Sequence, residues 1–330
     1  MALTEEGLIQ IPGMLSRYVR LGSGALAHYM TAGETGPAVV LLHGGIIGSS
    51  GLAGWRFMAP FLGSNGFRVY CPDLPGFGLT ADYEEAYAPH EGGHLDFVQD
   101  FVTALGLERF HIAGNSMGCM NAVYYITAHP DKIISYVLIA GGIGDIGPVQ
   151  EMPPKGSETP PEGPNVQMFN GSSDSMQAMM SAIILNSSTV SDDLVAMRTA
   201  AANRHRDYYQ RYVDTALRNP DPNQKASLST KDRFPKLTIP GIYMYGTKDV
   251  LRPHDVFGHA QEDALPAVQF FYPEDTGHQG QTDQPEMFNQ VFLEFFRDGK
   301  VSAKSAEWAG VSRRRPVNPE RVEVTEGAAV

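Results

Sequence analysis

Two cysteines in 330 residues, Cys71 and Cys119, with no C-x-x-C spacing, leave nothing from which a disulfide framework could be built. Both lie in apolar contexts and are expected to be buried and reduced. Positive charge is also scarce: 25 Lys and Arg stand against 37 Asp and Glu, a net charge of -12. Nucleic acid and anionic membranes both require a basic face, so neither is expected as a partner. A small anionic substrate stays admissible, because one local arginine suffices to hold a carboxylate. Long apolar runs are missing too. The nearest, "IISYVLIAGGIG", falls short of the roughly 18 residues of a bilayer-spanning helix. The opening "MALTEEGLIQIPGM" lacks the basic and then apolar regions of a secretory signal, so the formal glycosylation sites at Asn170 and Asn186 carry little weight. A cytoplasmic protein without internal repeats is the expectation.

What the sequence has is alternation. "SRYVRLG" and "ALAHYMTAG" read as a strand hairpin. "AVVLLHGG", "FRVYCPD", "RFHIAGN", "SYVLIAGG", "IPGIYMYG" and "AVQFFYPE" are short continuous apolar runs, the form of strands buried on both faces. Between them "WRFMAPFLGSNG", "HLDFVQDFVTALGL", "MGCMNAVYYITAHP" and "PEMFNQVFLEFFRDG" repeat apolar residues every three or four positions. Such a succession predicts an α/β fold, a mostly parallel sheet covered by helices. Between about 146 and 235 the alternation stops. A proline-rich stretch, "PVQEMPPKGSETPPEGPN", leads into helical patterns, with Ser191 as N-cap of "SDDLVAMR". Residues 1–145 and 236–300 are therefore read as the core, 146–235 as an inserted helical lid, and 301–330 as a polar tail. That tail is expected to be mobile or draped on the surface, its Arg313–Arg315 a solvated run.

Candidate chemistry starts at Gly114-Asn115-Ser116-Met117-Gly118, which fits G-x-S-x-G with a strand before it and a helix after it. Glycines there let strand and helix crowd together and leave the serine on a strained turn, over the positive end of a helix. A serine hydroxyl needs a base. His278 lies in a glycine-flanked loop after "AVQFFYPE", in the chain order Ser…Asp…His; the remaining histidines read as structural or surface groups. For the acid that orients the base, Asp249 in "GTKDVLRP" is favoured and Asp145 in "GGIGDIG" is the rival; Asp275 is too near His278 in sequence. Two backbone N–H donors for an oxyanion would come from Met117 and, at the end of "LLHGG", from Gly45 or Gly44.

Taken together, "LHGG", "GNSMG", "GTKDVLRP" and "TGH" in this order resemble the α/β-hydrolase superfamily over about residues 15–300. That resemblance implies an eight-stranded sheet with the lid inserted after the sixth strand. "GNSMG", "NGFRVYCPDLPGFG", "DFVTALGLERFHIAGNS", "SDDLVAMR" and "PEMFNQVFLEFF" look like meta-cleavage product hydrolases, which split a carbon–carbon bond in vinylogous 1,5-diketones from aromatic ring breakdown. By the same resemblance Arg198 would hold a substrate carboxylate or its adjacent oxygen, and Asn115 would line the dienoate pocket. Two departures stand out. "HGGIIGSSG" replaces the family's glycine-proline-glycine run, and Gln279 stands where the family has tryptophan directly after the histidine. Esters, lactones and amides use the same triad, and a ligand receptor with an incidental triad is the reading from a different class. Lid methionines Met168, Met176, Met179, Met180 and Met197 would form either a deformable pocket wall or ordinary lid core.

Two further motifs are read as decoys. "HEGGH", residues 90–94, matches a zinc pattern that needs a helix, which Gly92 and Gly93 make costly. "GIGDIG", residues 142–147, matches a dinucleotide pattern without the helix that should follow. No metal and no cofactor is expected. The partner is a small-molecule substrate, with a homodimer left open.

Overall fold

The structure is a computed structural model that describes residues 3–147, 169–218 and 220–324. The whole of the proline-rich stretch, together with Met168, lies outside the described residues.

Eight strands form one sheet: β1 (Leu15–Arg20), β2 (Leu26–Ala32), β3 (Ala38–Leu42), β4 (Arg68–Pro72), β5 (Phe110–Asn115), β6 (Ile133–Ile139), β7 (Gly241–Met244) and β8 (Gln269–Phe271). Their order is β1-β2-β4-β3-β5-β6-β7-β8. The pairs β1–β2 and β2–β4 are antiparallel and the other five are parallel. Edge strand β1 is largely exposed, whereas every residue of β3 and β5 is buried, which is why those two read as unbroken apolar runs. Side chains alternate across the sheet. Val39 and Leu41 join the apolar cluster on one face, and Val40 and Leu42 join the cluster on the other.

Twelve α-helices are described: α1 (Gly51–Trp55), α2 (Met58–Ser64), α3 (Glu91–Ala104), α4 (Met117–Ala128), α5 (Ser173–Ile183), α6 (Asp192–Arg204), α7 (Arg206–Tyr212), α8 (Pro222–Ser227), α9 (His259–Ala264), α10 (Gly280–Asp283), α11 (Pro285–Asp298) and α12 (Ala303–Trp308). The pattern "WRFMAPFLGSNG" is divided between α1 and α2, and Pro60 falls in the first turn of α2, where it forfeits no helical bond. Ser191 caps α6 as its sequence predicts, accepting the Leu194 N–H at 3.2 Å. That helix then breaks at His205 before α7. Helices α5 to α8 all lie between β6 and β7. Met176, Met179, Met180 and Met197 are buried in the apolar cluster they share with one face of the sheet.

The segment after 301 departs from its expectation. Val301, Ala306, Ala309 and Val322 are buried in the core, and Val301 bridges to Val322. Arg314 pairs with Glu262 and Asp263, and Arg315 donates to the carbonyls of Glu262, Leu265 and Val268. Its apolar residues come from a bridge, a short helix and a second bridge, so they show no single period, and the basic triplet looked solvated because its acceptors are about 50 residues away.

Parallel pairing brings the chemistry to one edge. Leu42 pairs with Gly114, Asn115 with Ile139, Ile139 with Met244, and Met244 with Phe271. The loops leaving the carboxyl ends of β3, β5, β7 and β8 therefore emerge side by side, the usual place for a ligand site in an α/β sheet.

Candidate active site

Ser116 sits between β5 and α4 with φ 57° and ψ -118°, a conformation that costs a non-glycine residue about 1–3 kcal/mol. Its neighbours explain how the strain is held. A Cβ on Gly114 would lie 2.1 Å from the Gly118 carbonyl oxygen, and one on Gly118 would lie 2.2 Å from that of Leu42. Only glycine allows strand and helix to approach so closely. The Ser116 N–H donates to Ile139 O at 2.9 Å, and Ser116 O accepts from Met120 N at 3.2 Å, which fixes the bend from both sides. The side chain is half-buried at the positive end of a 12-residue helix.

His278 is carried by the loop after β8 and Asp249 by the loop after β7; both are buried. The His278 Nδ1–H donates to Asp249 Oδ2 at 2.8 Å. The other carboxylate oxygen accepts the N–H groups of Leu251 at 2.9 Å and Arg252 at 3.0 Å, so Asp249 cannot swing away. An ionised carboxylate only accepts, so the imidazole proton resides on Nδ1 and Nε2 keeps its lone pair. That Nε2 is buried and has no hydrogen-bond partner among the described residues. Asn115 ties this loop to the elbow: its Nδ2 donates to His278 O at 2.9 Å and, more weakly, to Ile139 O at 3.4 Å. The Asn115 amide is thus directed at the backbone beneath the histidine. The rival acid, Asp145, is elsewhere. It accepts the N–H groups of Thr230 and Lys231 and the hydroxyl of Ser229, where the lid returns to the core.

The "HGG" loop lies across the elbow. A Cβ on Gly44 would stand 3.5 Å from Ser116 Cβ, and one on Gly45 would fall 2.7 Å from Met117 Sδ. Met117 is the first residue of α4, so its N–H has no partner within its own helix. Gly45 N–H bonds to no backbone carbonyl among the described residues. His43 buttresses the same loop: Nδ1 donates to Gly44 O at 2.8 Å, Nε2 accepts from Leu74 N at 3.1 Å, and burial lowers its pKa, which keeps it neutral.

On α6, Arg198 is buried and its Nη2 donates to Ser49 Oγ at 3.3 Å, while Nε has no partner among the described residues. Burial lowers its pKa to about 10. Arg56, which its sequence gave no reason to single out, is a second buried guanidinium. It donates to Ala53 O at 2.6 Å and to the lid carbonyl Thr189 O at 2.7 Å. Burial first, and the charge of Arg198 second, lower its pKa to about 9. None of the ion pairs found among the described residues involves either guanidinium, and the charge of Arg198 bears directly on Arg56. Gln279 is buried next to His278, with its Oε1 unpartnered.

The zinc-like motif does lie on a helix, against the expectation from its glycines. His90 caps α3, its ring Nδ1 accepting the Gly93 N–H at 3.2 Å, and this cap offsets the cost of Gly92 and Gly93. His94 is buried against Tyr212 and desolvated to a pKa of about 3. Among the described residues no group of three His, Cys, Asp or Glu side chains could hold a metal ion. Nor is any described helix long and apolar enough to cross a membrane. A surface hollow of about 400 Å³ lined by His254, His259 and Tyr272 contains none of the residues above.

The chain is 28% identical over 288 residues to the 2-hydroxy-6-oxononadienedioate/2-hydroxy-6-oxononatrienedioate hydrolase of Paraburkholderia phymatum, covering 85% of this chain and 95% of that one. It is 29% identical over 304 residues to the enzyme of the same name from Cupriavidus pinatubonensis, covering 89% and 97%. In fold it is similar to the 2-hydroxy-6-oxo-6-phenylhexa-2,4-dienoate hydrolase of Rhodococcus sp. strain RHA1, with a TM-score of 0.70, 20% identity, and coverage of 86% of this chain and 99% of that one. Residues 37–285 match the family model described as the alpha/beta hydrolase fold, and the chain belongs to that family.

Proposed function

We propose that the protein is a serine-triad hydrolase that cleaves a carbon–carbon bond in a small, carboxylate-bearing vinylogous diketone. His278 Nε2, with Nδ1 held by Asp249, removes the Ser116 proton as Oγ adds to the substrate carbonyl. The oxyanion is received by the N–H groups of Met117 and Gly45. With the substrate in its keto tautomer, collapse breaks the carbon–carbon bond. The bonding pair leaves as a stabilised carbanion, which takes the proton from the imidazolium. Water, deprotonated by the same histidine, then hydrolyses the acyl ester on Ser116, so one water is consumed per bond cleaved. Helices α5 to α8, inserted between β6 and β7, act as the lid over this site.

The observation that carries the carboxylate is the buried Arg198, whose Nε has no partner among the described residues, because a desolvated cation favours an anionic ligand. The similarity to relatives named as ring-fission product hydrolases supports the bond type. Asn115 is best read as a positioning group, since its amide is engaged by His278 O.

A second reading has its own support. Gln279, at a place where the resembling family has tryptophan, leaves a buried acceptor, Oε1, without a partner among the described residues, and so favours a substrate that brings an O–H or N–H donor there, such as a hydroxylated ester or lactone. Purified protein offered a yellow ring-fission dienoate, an aryl ester and a lactone, with products followed by mass, separates the two. Carbon–carbon scission that falls by about 10⁴-fold in Ser116→Ala is the expected result. Ester cleavage without scission would give the second reading, and Ser116→Ala retaining more than about a tenth of the turnover would remove the nucleophile.

A further inference from the structure

We propose that Asp283 is a positioning residue that joins the lid to the loop carrying His278, so that the base is held in place for proton transfer only while the lid segment is docked. This rests on the triad reading above, and it concerns a residue that touches neither substrate nor serine.

Asp283 ends α10 and is buried. Its position just before α11 suggests a helix cap, yet that helix has no side-chain cap. The carboxylate is divided between two other segments. Oδ1 accepts the lid N–H groups of Leu185 at 2.7 Å and Asn186 at 3.1 Å. Oδ2 accepts the N–H of Gly277, the residue before His278, at 2.6 Å. Two bonds run beside it. Asn186 Nδ2 donates to Asp283 O at 3.0 Å, and Gln279 N donates to Ile183 O, the last residue of α5, at 3.4 Å. Gly277 makes the approach possible, since a Cβ there would lie 3.0 Å from both Asp283 Oδ2 and Ile183 O.

One carboxylate therefore satisfies the lid with one oxygen and the base-carrying loop with the other. Undocking the lid strips Oδ1 of two donors inside a buried site. Burial already holds this carboxyl above the ordinary aspartate range, against the pull of its N–H donors. An ion left half-solvated there must rotate or recruit water, and either movement loosens the bond to Gly277. The rest of the loop is anchored independently, because Gln284 Nε2 donates to Glu274 O at 2.6 Å and to Thr276 Oγ1 at 2.7 Å. Displacement is thereby concentrated at Gly277 and Gln279, on either side of the base, and reaches His278 as strain on its bonds to Asp249 and Asn115.

Two measurements on the full chain test this. The rate at which an alkyl fluorophosphonate labels Ser116 reports how well His278 activates it. Amide hydrogen exchange at Gly277 and at residues 184–189 reports the tie without any chemistry. Asp283→Asn turns an N–H₂ group toward one set of N–H donors, so labelling is expected to slow by about ten- to a hundredfold, with faster exchange at both places. Asn186→Ala removes the bond to Asp283 O from the other side while leaving the carboxylate and the His278 loop unsubstituted; exchange at Gly277 should rise several-fold and labelling should slow. If Asp283→Asn does not fold, Asn186→Ala decides alone. Labelling of Asp283→Asn at the wild-type rate, or exchange in Asn186→Ala that changes only at residues 184–189, overturns the proposal. Wild-type protein that is not labelled at Ser116 overturns the triad reading itself, and is distinguishable because Ser116→Ala then behaves identically.

Discussion

Replacing Arg198 by methionine should make the protein more stable and less able to bind its substrate. Burial lowers the guanidinium pKa from 12.5 to about 10. At neutral pH the group is charged both folded and unfolded, so the difference is a cost carried by the folded state, constant at all pH values below about 10. At about 1.4 kcal/mol per unit, it amounts to about 3 kcal/mol. The bond to Ser49 at 3.3 Å returns about 1 kcal/mol. Methionine has similar reach, and α6 packs against α5, which already contributes Met176, Met179 and Met180 to the lid core. Net stabilisation of about 1–2 kcal/mol is expected, and the repulsion felt by Arg56 disappears with it. A carboxylate that loses a charged partner should bind about ten- to a hundredfold more weakly, while its methyl ester binds as before. Urea denaturation gives the first number, and KM for the acid and ester pair gives the second. A variant destabilised by more than about 2 kcal/mol, with KM for the acid unchanged, would refute the reasoning and make Arg198 a lid strut.

Other consequences follow from the same geometry. Gly45→Ala places a Cβ 2.7 Å from Met117 Sδ, so the loop must lift and the oxyanion loses a donor; kcat should fall by about 10²–10³ with little change in thermal stability. Partial burial raises the Asp145 carboxyl, but bonds from Ser229, Thr230 and Lys231 outweigh it and bring the pKa to about 2. Its contribution is present above the ordinary aspartate pKa near 4 and is lost as pH falls toward 2. The group is exposed, so solvent screening reduces that contribution to about 1 kcal/mol. Asp145→Asn should therefore be less stable than wild type at pH 6 and converge on it only below about pH 2, as read by denaturant midpoints.

The site was legible in the sequence where its chemistry depends on local backbone. The G-x-S-x-G elbow, the glycines of the "HGG" loop and the order of Asp249 and His278 each announce themselves within a few residues, because close approach of strand, helix and loop restricts residue type locally. Burial on both faces likewise makes β3 and β5 read as strands without any partner in view. The α3 start was misread for a complementary reason: propensity counted Gly92 and Gly93 against a helix, and the His90 cap, a single side-chain bond, outweighed them.

What escaped notice is joined across long separations. Arg56 reaches a carbonyl 133 residues away, and Asp283 accepts N–H groups 98 and 97 residues earlier in the chain. Neither pattern can be seen before the lid is folded against the sheet. In "WRFMAP" and "QTDQPE" they resemble an exposed helix residue and an ordinary cap. Both bind backbone groups of the same lid segment, 185–189, one by a cation donating to a carbonyl and the other by an anion accepting N–H groups. A segment held through its main chain can vary in side chain without losing its grip. Selection for a new substrate can then act on Gln279 and the lid's apolar residues while Arg56 and Asp283 stay fixed, which makes the departure from tryptophan at position 279 compatible with an unaltered mechanism.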